Sequence, residues 1–448
     1  MQSILFIAIA ATVFYIAAKQ FLKIRRNIFL GKDETITGDT SQRWRNMFLI
    51  AFGQQKMFAR WTPAIFHFFI YAAFLMTQVE LLEIFTDGIF GTHRFFHDKI
   101  GFLYSFALNT IEILSFLAFI ATLVFLARRN VLKLERFQKP ELKGFPTRDA
   151  NFILLGEIIL ITGIVCMNGA DICLQKIAPE HFPSTGFLAV SSWLGPALFG
   201  GLEESTLHII ERFGWWLHIL TVFGFILYLP FSKHLHIFLA FPNTYYGRLT
   251  PKGEVANMPE IMNEVKSMLG LGEATAATDE MPQFGASDIT SLSWKNVLDA
   301  YSCTECGRCT SVCPANLTGK KLSPRKIMMD VRDRADEIGQ KLDSGDASFI
   351  REDARIENAV LDKNNFSDDK NLFNYISPEE LHACTTCNAC VEACPISINP
   401  LDIIVQMRRY EILTLSQGPS DWVPMFTSLE NSGCVWQMPV EREAWMHE

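Results

Sequence analysis

The chain has 448 residues, 49% of them hydrophobic, with 40 Lys and Arg against 48 Asp and Glu for a formal net charge of −8. That length allows two or three domains, and the absence of a basic surplus gives no sign of a nucleic-acid partner. The C-terminal half is polar, so the apolar residues must be concentrated elsewhere; they fall before residue 242.

Residues 4–18 form an uninterrupted apolar run. Its basic residues, Lys19, Lys23, Arg25 and Arg26, follow it instead of preceding it, which predicts a first membrane helix and not a signal peptide. Four further segments, Pro63 to Phe85, Phe102 to Leu126, Phe152 to Ala170 and Trp215 to Phe238, each approach the roughly 20 residues that cross about 30 Å of hydrocarbon. Lys and Arg crowd the loops between spans one and two and between three and four, whereas the alternate loops hold only Arg94 and Lys99, then Lys176 and Arg212. The positive-inside rule therefore predicts a multi-pass protein of the cell (cytoplasmic or inner) membrane, N-terminus outside and C-terminal half in the cytoplasm. The outer loop from Asp171 to Arg212 carries a Gly/Pro-broken apolar piece that lies along the membrane or covers the bundle. Glu80, Glu83 and Glu112 in the spans read as interhelical hydrogen-bonding groups ahead of a proton relay.

The fifth span contains His218, His234 and His236. In one continuous helix the 18 residues between His218 and His236 are five turns, so the two share a face about 27 Å apart and cannot bind one haem. His67, at the cytoplasmic start of the second span, is level with His236 and predicts a bis-His haem b between them. The competing reading makes these histidines hydrogen-bonded headgroup residues, and His234, off the shared face, is left to it. Cys166, Cys173 and Cys434 read as structural.

Beyond the spans, 241–293 reads as a linker, with its Gly/Ala/Thr/Glu-rich part from Gly270 to Gly285. A short helix from Trp294 to Tyr301 leads into a metal-binding phrase that occurs twice: Cys303, Cys306, Cys309, Cys313-Pro314 and Cys384, Cys387, Cys390, Cys394-Pro395. Both read C-x2-C-x2-C-x3-C-P, the run in which three thiolates hold one [4Fe–4S] cube and the fourth reaches the other. Two crossed clusters are expected, one on Cys303, Cys306, Cys309 and Cys394, its neighbour on Cys384, Cys387, Cys390 and Cys313. Zinc ribbons have no use for the third and fourth Cys at these spacings. Between the motifs, Ser323 to Ile376 begins helically and turns polar. The tail is helical from Leu401 to Leu415 and irregular past Gly418. The expected architecture is all-α: a five-helix transmembrane haem b domain over 1–240, the linker, a mainly helical dicluster ferredoxin domain over 294–412 and a tail over 413–448.

The run Leu217-His218 through Pro230-Phe231-Ser232-Lys233-His234-Leu235-His236 resembles the last membrane helix of the respiratory nitrate reductase gamma subunit family. That resemblance implies two b haems and quinol oxidation. The family's second helix offers two histidines ten apart; His67 matches the first, but Thr77 stands at the second. His218 is then either a ligand of a second haem, with His97 best placed and His93 next, or a residue of the quinol site, and its retained spacing favours the haem. The C-terminal half is similar to the ferredoxin-type subunits of heterodisulfide reductase-like and anaerobic glycerol-3-phosphate dehydrogenase-like complexes. In many such complexes a catalytic region with CCG motifs follows, and none is present in this sequence, so a cytoplasmic redox subunit carrying a CCG-type or another redox module is the expected partner. The reading is electron transfer between quinone and that partner through haem b and two clusters. Its rival is a membrane-anchored iron–sulfur sensor or assembly anchor. A soluble-substrate enzyme is the weakest, because no nucleotide loop or flavin fingerprint is found.

Overall fold

The apolar runs of the first half keep much of their surface outward: Leu5, Leu82, Phe102 and Phe106 are all more than half exposed, a surface that lipid and not water accepts. In the computed structural model these runs form five helices long and apolar enough to cross a membrane. The structure describes residues 2–251, 253–271, 284–344, 368–436 and 443–446. The five helices are α1 (Gln2–Ile28), α2 (Trp61–Phe90), α3 (Phe102–Leu126), α4 (Phe145–Ile177) and α5 (Glu204–Tyr228). They are followed by α6 (His236–Tyr245), α7 (Trp294–Tyr301), α8 (Pro324–Asp343) and α9 (Pro400–Arg409). Among the described residues there is no strand, only one isolated bridge between Lys32 and Ser293, and the protein is all-α.

Two spans differ from their sequence limits in ways that bear on function. α1 continues past residue 18, and its last turns, with Ile24 and Ile28, enter the same buried core as Val297, Ile327, Val331 and Ile403 of the C-terminal half. Asn27 there donates to Tyr301 Oη at 3.0 Å, and Arg26 pairs with Asp343 at 2.5 Å. The first span thus anchors the cluster-bearing half to the bundle.

The fifth span is shifted. It begins at Glu204 and its α-helix stops at Tyr228, where Pro230 cannot donate to the helix and Ser232 is extended. Asp149 of α4 stabilises this break, accepting from Tyr228 Oη and Ser232 Oγ at 2.7 Å and from Lys233 N at 3.1 Å. The expectation of one helix from Trp215 to Phe238, with His218 and His236 on a common face, is therefore corrected. The early start was hidden by Glu203, Glu204, Glu211 and Arg212, which look too polar for a span; Glu211 is buried and paired with Arg212 at 2.5 Å.

α4 and α5 cross at backbone contact. A Cβ on Gly214 would lie 2.4 Å from Met167 N, so only glycine permits this approach. The apolar piece of the long loop covers the bundle: Ser191–Phe199 is a helix packed on α4, and Ser191 N and Val190 N donate to Glu112 at 3.0 and 2.9 Å.

In the C-terminal half α7 starts with a Ser293–Asn296 capping box. Most of the Gly/Ala-rich linker and of the polar insert lies outside the described residues. Past Gly418, where irregular chain is expected, Val423–Ser432 is a helix ended by Gly433 in the left-handed conformation.

Candidate redox centres

Each cysteine motif leaves a helix and coils in the same way. The residues two and four places after the first Cys have positive φ in both copies: Glu305 (54°) and Gly307 (71°), then Thr386 (55°) and Asn388 (60°). These turns bring backbone N–H groups onto the sulfurs. Cys303 accepts from Glu305, Cys384 from Thr386, Cys390 from Val391, and Cys394 from Ile396 and Ile398, the last at 3.3 Å. Hydrogen bonds of this kind set the potential of an iron–sulfur cluster. At Gly307 a side chain is excluded twice, by its φ and by Arg325 Nη1, 2.5 Å from where a Cβ would sit.

The thiols gather as two sets. Cys303, Cys306 and Cys309 are within electrostatic reach of Cys394, and Cys384 and Cys390 of Cys313, with Cys387 beside Cys384 and Cys390; Cys309 also reaches Cys390 between the sets. Cys303, Cys306, Cys309 and Cys394 line one cavity together with Cys390 of the second set, and Met328, Ile396 and Ile398 close it. All eight are free of disulfides. Burial, then mutual repulsion, pushes Cys303 up to about 12, and burial pushes Cys390 up to about 12 and Cys394 to about 11. Thiols so placed are not anionic on their own, and a shared cation removes that penalty. Among the described residues no three ligating side chains converge on a single ion. Zinc needs that convergence at about 2.3 Å, whereas a cube gives each thiolate its own iron. The donor set fits two [4Fe–4S] clusters.

The two loops face different surroundings. The first is buried against the membrane bundle. Arg308 donates to the Lys56 and Met57 carbonyls at 3.3 Å, and Arg60 donates to Ser311 at 2.8 Å. Glu305, buried, pairs with Lys233 at 2.5 Å and Arg332 at 2.8 Å. The second loop opens outward, with Thr385, Thr386 and Cys387 exposed.

At the cluster end of the bundle the histidines gather. His234 lies within electrostatic reach of both His236 and His67, its ring 5.8 Å from that of His236. His67 Nδ1 meets Gln54 Oε1 at 3.1 Å, and His236 Nδ1 donates to Lys233 O at 2.9 Å. A carbonyl oxygen only accepts, so each Nδ1 carries the proton and Nε2 keeps the lone pair a metal takes. Burial lowers His236 and holds His234 down at about 3, so both are neutral imidazoles. The break in the fifth span brings His234 to the same place as His67 and His236, so three imidazoles meet at this end, which a continuous helix does not foresee.

His218 and His97 are not brought together. His218 lies 14 residues into α5, about 21 Å from its remote end at 1.5 Å per residue, and so sits midway across the bundle. Its Nδ1 donates to Leu160 O on α4 at 3.2 Å. His97 lies in the loop beyond α2, with Nε2 on Ser184 O at 3.1 Å. His93 stands closer to α5 than His97 does, 3.8 Å from Glu211 and 3.5 Å from Asp171.

Sequence reasoning missed Gln54, Asp149, Lys233, Glu305 and Arg308, which position the centres. Pro230 was a legible signal for the break. For the others only position inside or beside a motif could have raised attention.

These features define a multi-pass membrane iron–sulfur protein, and residues 302–398 match the 4Fe-4S dicluster domain family. Among curated proteins the chain is similar to the probable iron-sulfur-binding oxidoreductase FadF of Bacillus subtilis, at 28% identity over 100% of this chain and 61% of the relative. It is likewise 28% identical to the EtfAB:quinone oxidoreductase of Syntrophomonas wolfei, over 94% of this chain and 56% of that protein. A probable membrane-anchored ferredoxin of Chromohalobacter salexigens is 31% identical over 30% of this chain and 19% of its own length. The chain thus spans about three fifths of the length of the first two. No solved structure matches.

Proposed function

We propose that this chain carries electrons between a quinone in the membrane and a redox partner on the cytoplasmic side. The route runs through a b haem held by His67 and His236 and two crossed [4Fe–4S] clusters, on Cys303, Cys306, Cys309 and Cys394 and on Cys384, Cys387, Cys390 and Cys313. In this reading 1–240 is the haem and quinone region, 294–412 the dicluster region, with the linker and tail about it. Haem and cluster supply one-electron redox chemistry when bound; the chain fixes their order and surroundings.

The observation that carries the reading is the direct seating of the first cluster loop on the histidine end of the bundle. Arg308 binds the carbonyls of Lys56 and Met57, two and three residues past Gln54, which orients His67. Lys233, whose carbonyl orients His236, holds Glu305 between Cys303 and Cys306. Both imidazoles are thus tied through two residues or fewer to one cluster loop. The second loop, with Cys387 exposed, is the outlet to a partner. A name such as EtfAB:quinone oxidoreductase on a relative supports a protein redox partner at that outlet and quinone at the other end. His218, midway in the bundle and far from His97, belongs in this reading to the quinone end and not to a His97-ligated haem.

The test is anaerobic purification with counting of cofactors: one haem and about eight iron and eight sulfide per chain, with a quinol reducing haem and clusters in one turnover. A chain that holds clusters but no haem and is not reduced by quinol would leave the sensor or anchor reading in its place.

A further inference from the structure

The remote half of the bundle holds buried polar groups that neither the haem nor the clusters use. Glu80, Glu83, Asp87, Asp171 and Glu211 gather there with Arg94, Arg212 and His93. Arg94, 7% exposed, donates to Asn168 Oδ1 and Asp171 Oδ2 at 2.8 Å and to Tyr104 Oη at 3.3 Å. Tyr104 in turn donates to Glu83 at 2.8 Å. Asp171 faces His93 Nε2 at 3.5 Å, and His93 has a side chain 25% exposed, which opens the network to the remote surface.

Glu80, 3% exposed, has no hydrogen-bond partner on either oxygen. The Asn168 amide, whose Nδ2 is also without a well-formed hydrogen bond, and the Arg94 guanidinium are the donors that interact with it. Asp171 Oδ1 and His93 Nδ1 also lack hydrogen-bond partners, so five such atoms belong to Glu80 and to the residues that Arg94 and Asp171 connect from Asn168 to His93. An unsatisfied carboxyl at this depth is costly, and a structural role would have given it a partner. The five carboxyls outnumber the two guanidiniums, and a carboxyl without an opposing charge favours holding a proton. Polar atoms spaced in this way are the lining that a file of buried waters requires.

We propose that Glu80, Asn168, Arg94, Asp171 and His93 form a proton path from mid-membrane to the surface remote from the clusters, with Glu80 exchanging protons with a membrane quinone. The proposal rests on the quinone reading above. In the oxidising direction a quinol gives up two electrons and two protons. The electrons pass singly by way of the haem to the two [4Fe–4S] clusters, one to each. The protons leave singly through Glu80 and His93, and the quinone remains. The reducing direction runs the same steps backward.

The test uses the full chain with its cofactors in proteoliposomes, with a short-chain naphthoquinol as probe, stopped-flow absorbance for haem and cluster reduction, and a pH dye on the remote side. Wild type is expected to be reduced and to release protons to that side. Glu80→Gln is expected to slow reduction by on the order of 10²-fold, with Glu80→Asp partly restoring it and reduction by dithionite unchanged. Should Glu80→Gln fail to fold, His93→Gln at the exposed end reads the same path. Reduction at the wild-type rate in both variants, or protons released on the cluster side, overturns the path alone. A wild type that naphthoquinol does not reduce overturns the quinone reading, and the path with it.

Discussion

The ion pair between Lys233 and Glu305 is the narrowest link between the histidine end of the bundle and the first cluster loop, and removing it should be felt on both sides. The side chains are 10% and 3% exposed and 2.5 Å apart. Burial works to raise Glu305, but Lys233 and Arg332 overcome it and hold the carboxyl below its ordinary range. For Lys233 burial outweighs Glu305 and lowers the ammonium. The two directions disagree about the worth of the pair; the Glu305 direction is the firmer, because two cations face that carboxylate. Glu305→Gln keeps the shape and the backbone but leaves Lys233 with Asp149 at 3.8 Å and the Pro146 carbonyl at 2.7 Å. Breaking a buried pair from one side costs 3–5 kcal/mol, and these remaining partners put the expected loss near the lower end, about 3 kcal/mol. That is a factor of roughly 150 in the docking equilibrium of the loop. In a double-mutant cycle Lys233→Met with Glu305→Leu should cost less than the sum of the single changes, since the pair is removed together and Arg332 keeps Asp333. The assay is thermal unfolding alongside the rate of haem-to-cluster electron transfer after flash reduction. Glu305→Gln within 0.5 kcal/mol of wild type, at an unchanged transfer rate, would refute the link.

Three further outcomes are expected. Cys394→Ser should remove the cluster of Cys303, Cys306 and Cys309 while the signal of the Cys384 set survives, as seen by EPR of the reduced protein; loss of the Cys384 cluster instead would mean uncrossed ligation. Asp330, raised to about 6 by burial despite Lys326 beside it, binds its proton more tightly folded than unfolded, where the value is about 3.9. Stability should therefore fall as pH rises between about 4 and 6, and Asp330→Asn should gain about 1–2 kcal/mol at pH 7 and nothing below pH 4, by denaturant titration at each pH. Asp149→Ala strips the break in the fifth span of three hydrogen bonds at about 1 kcal/mol each, and haem content should drop with it while non-haem iron and sulfide are unchanged.

How legible all this was depended on whether a feature is written in spacing or in contact. The cysteine runs state their own grouping, because four thiols at x2, x2 and x3 leave little choice of chemistry. Helix content and the five spans followed from apolar length alone, and Phe102 to Leu126 agrees to the residue. Depth did not, because it depends on where a helix starts. Glu204 and Glu211 made the first turns of α5 look like loop, although burial beside Arg212 and His93 accommodates the latter, and so His218 was read as lying at one surface when it sits midway. Pro230 marked a break, but its capping by Asp149 from another helix could not be read from either segment. Glu80 shows the same limit: its carboxyl has a meaning only once its neighbours are known to leave it unpaired.

The central claim is that His67 and His236 hold a haem beside the first cluster, and the most direct measurement is haem content with the reduced-minus-oxidised spectrum of His67→Ala and His236→Ala, next to EPR of the clusters. The account predicts that each variant folds, keeps both clusters and loses the same low-spin b-type band. A full b-type spectrum in either variant would contradict it.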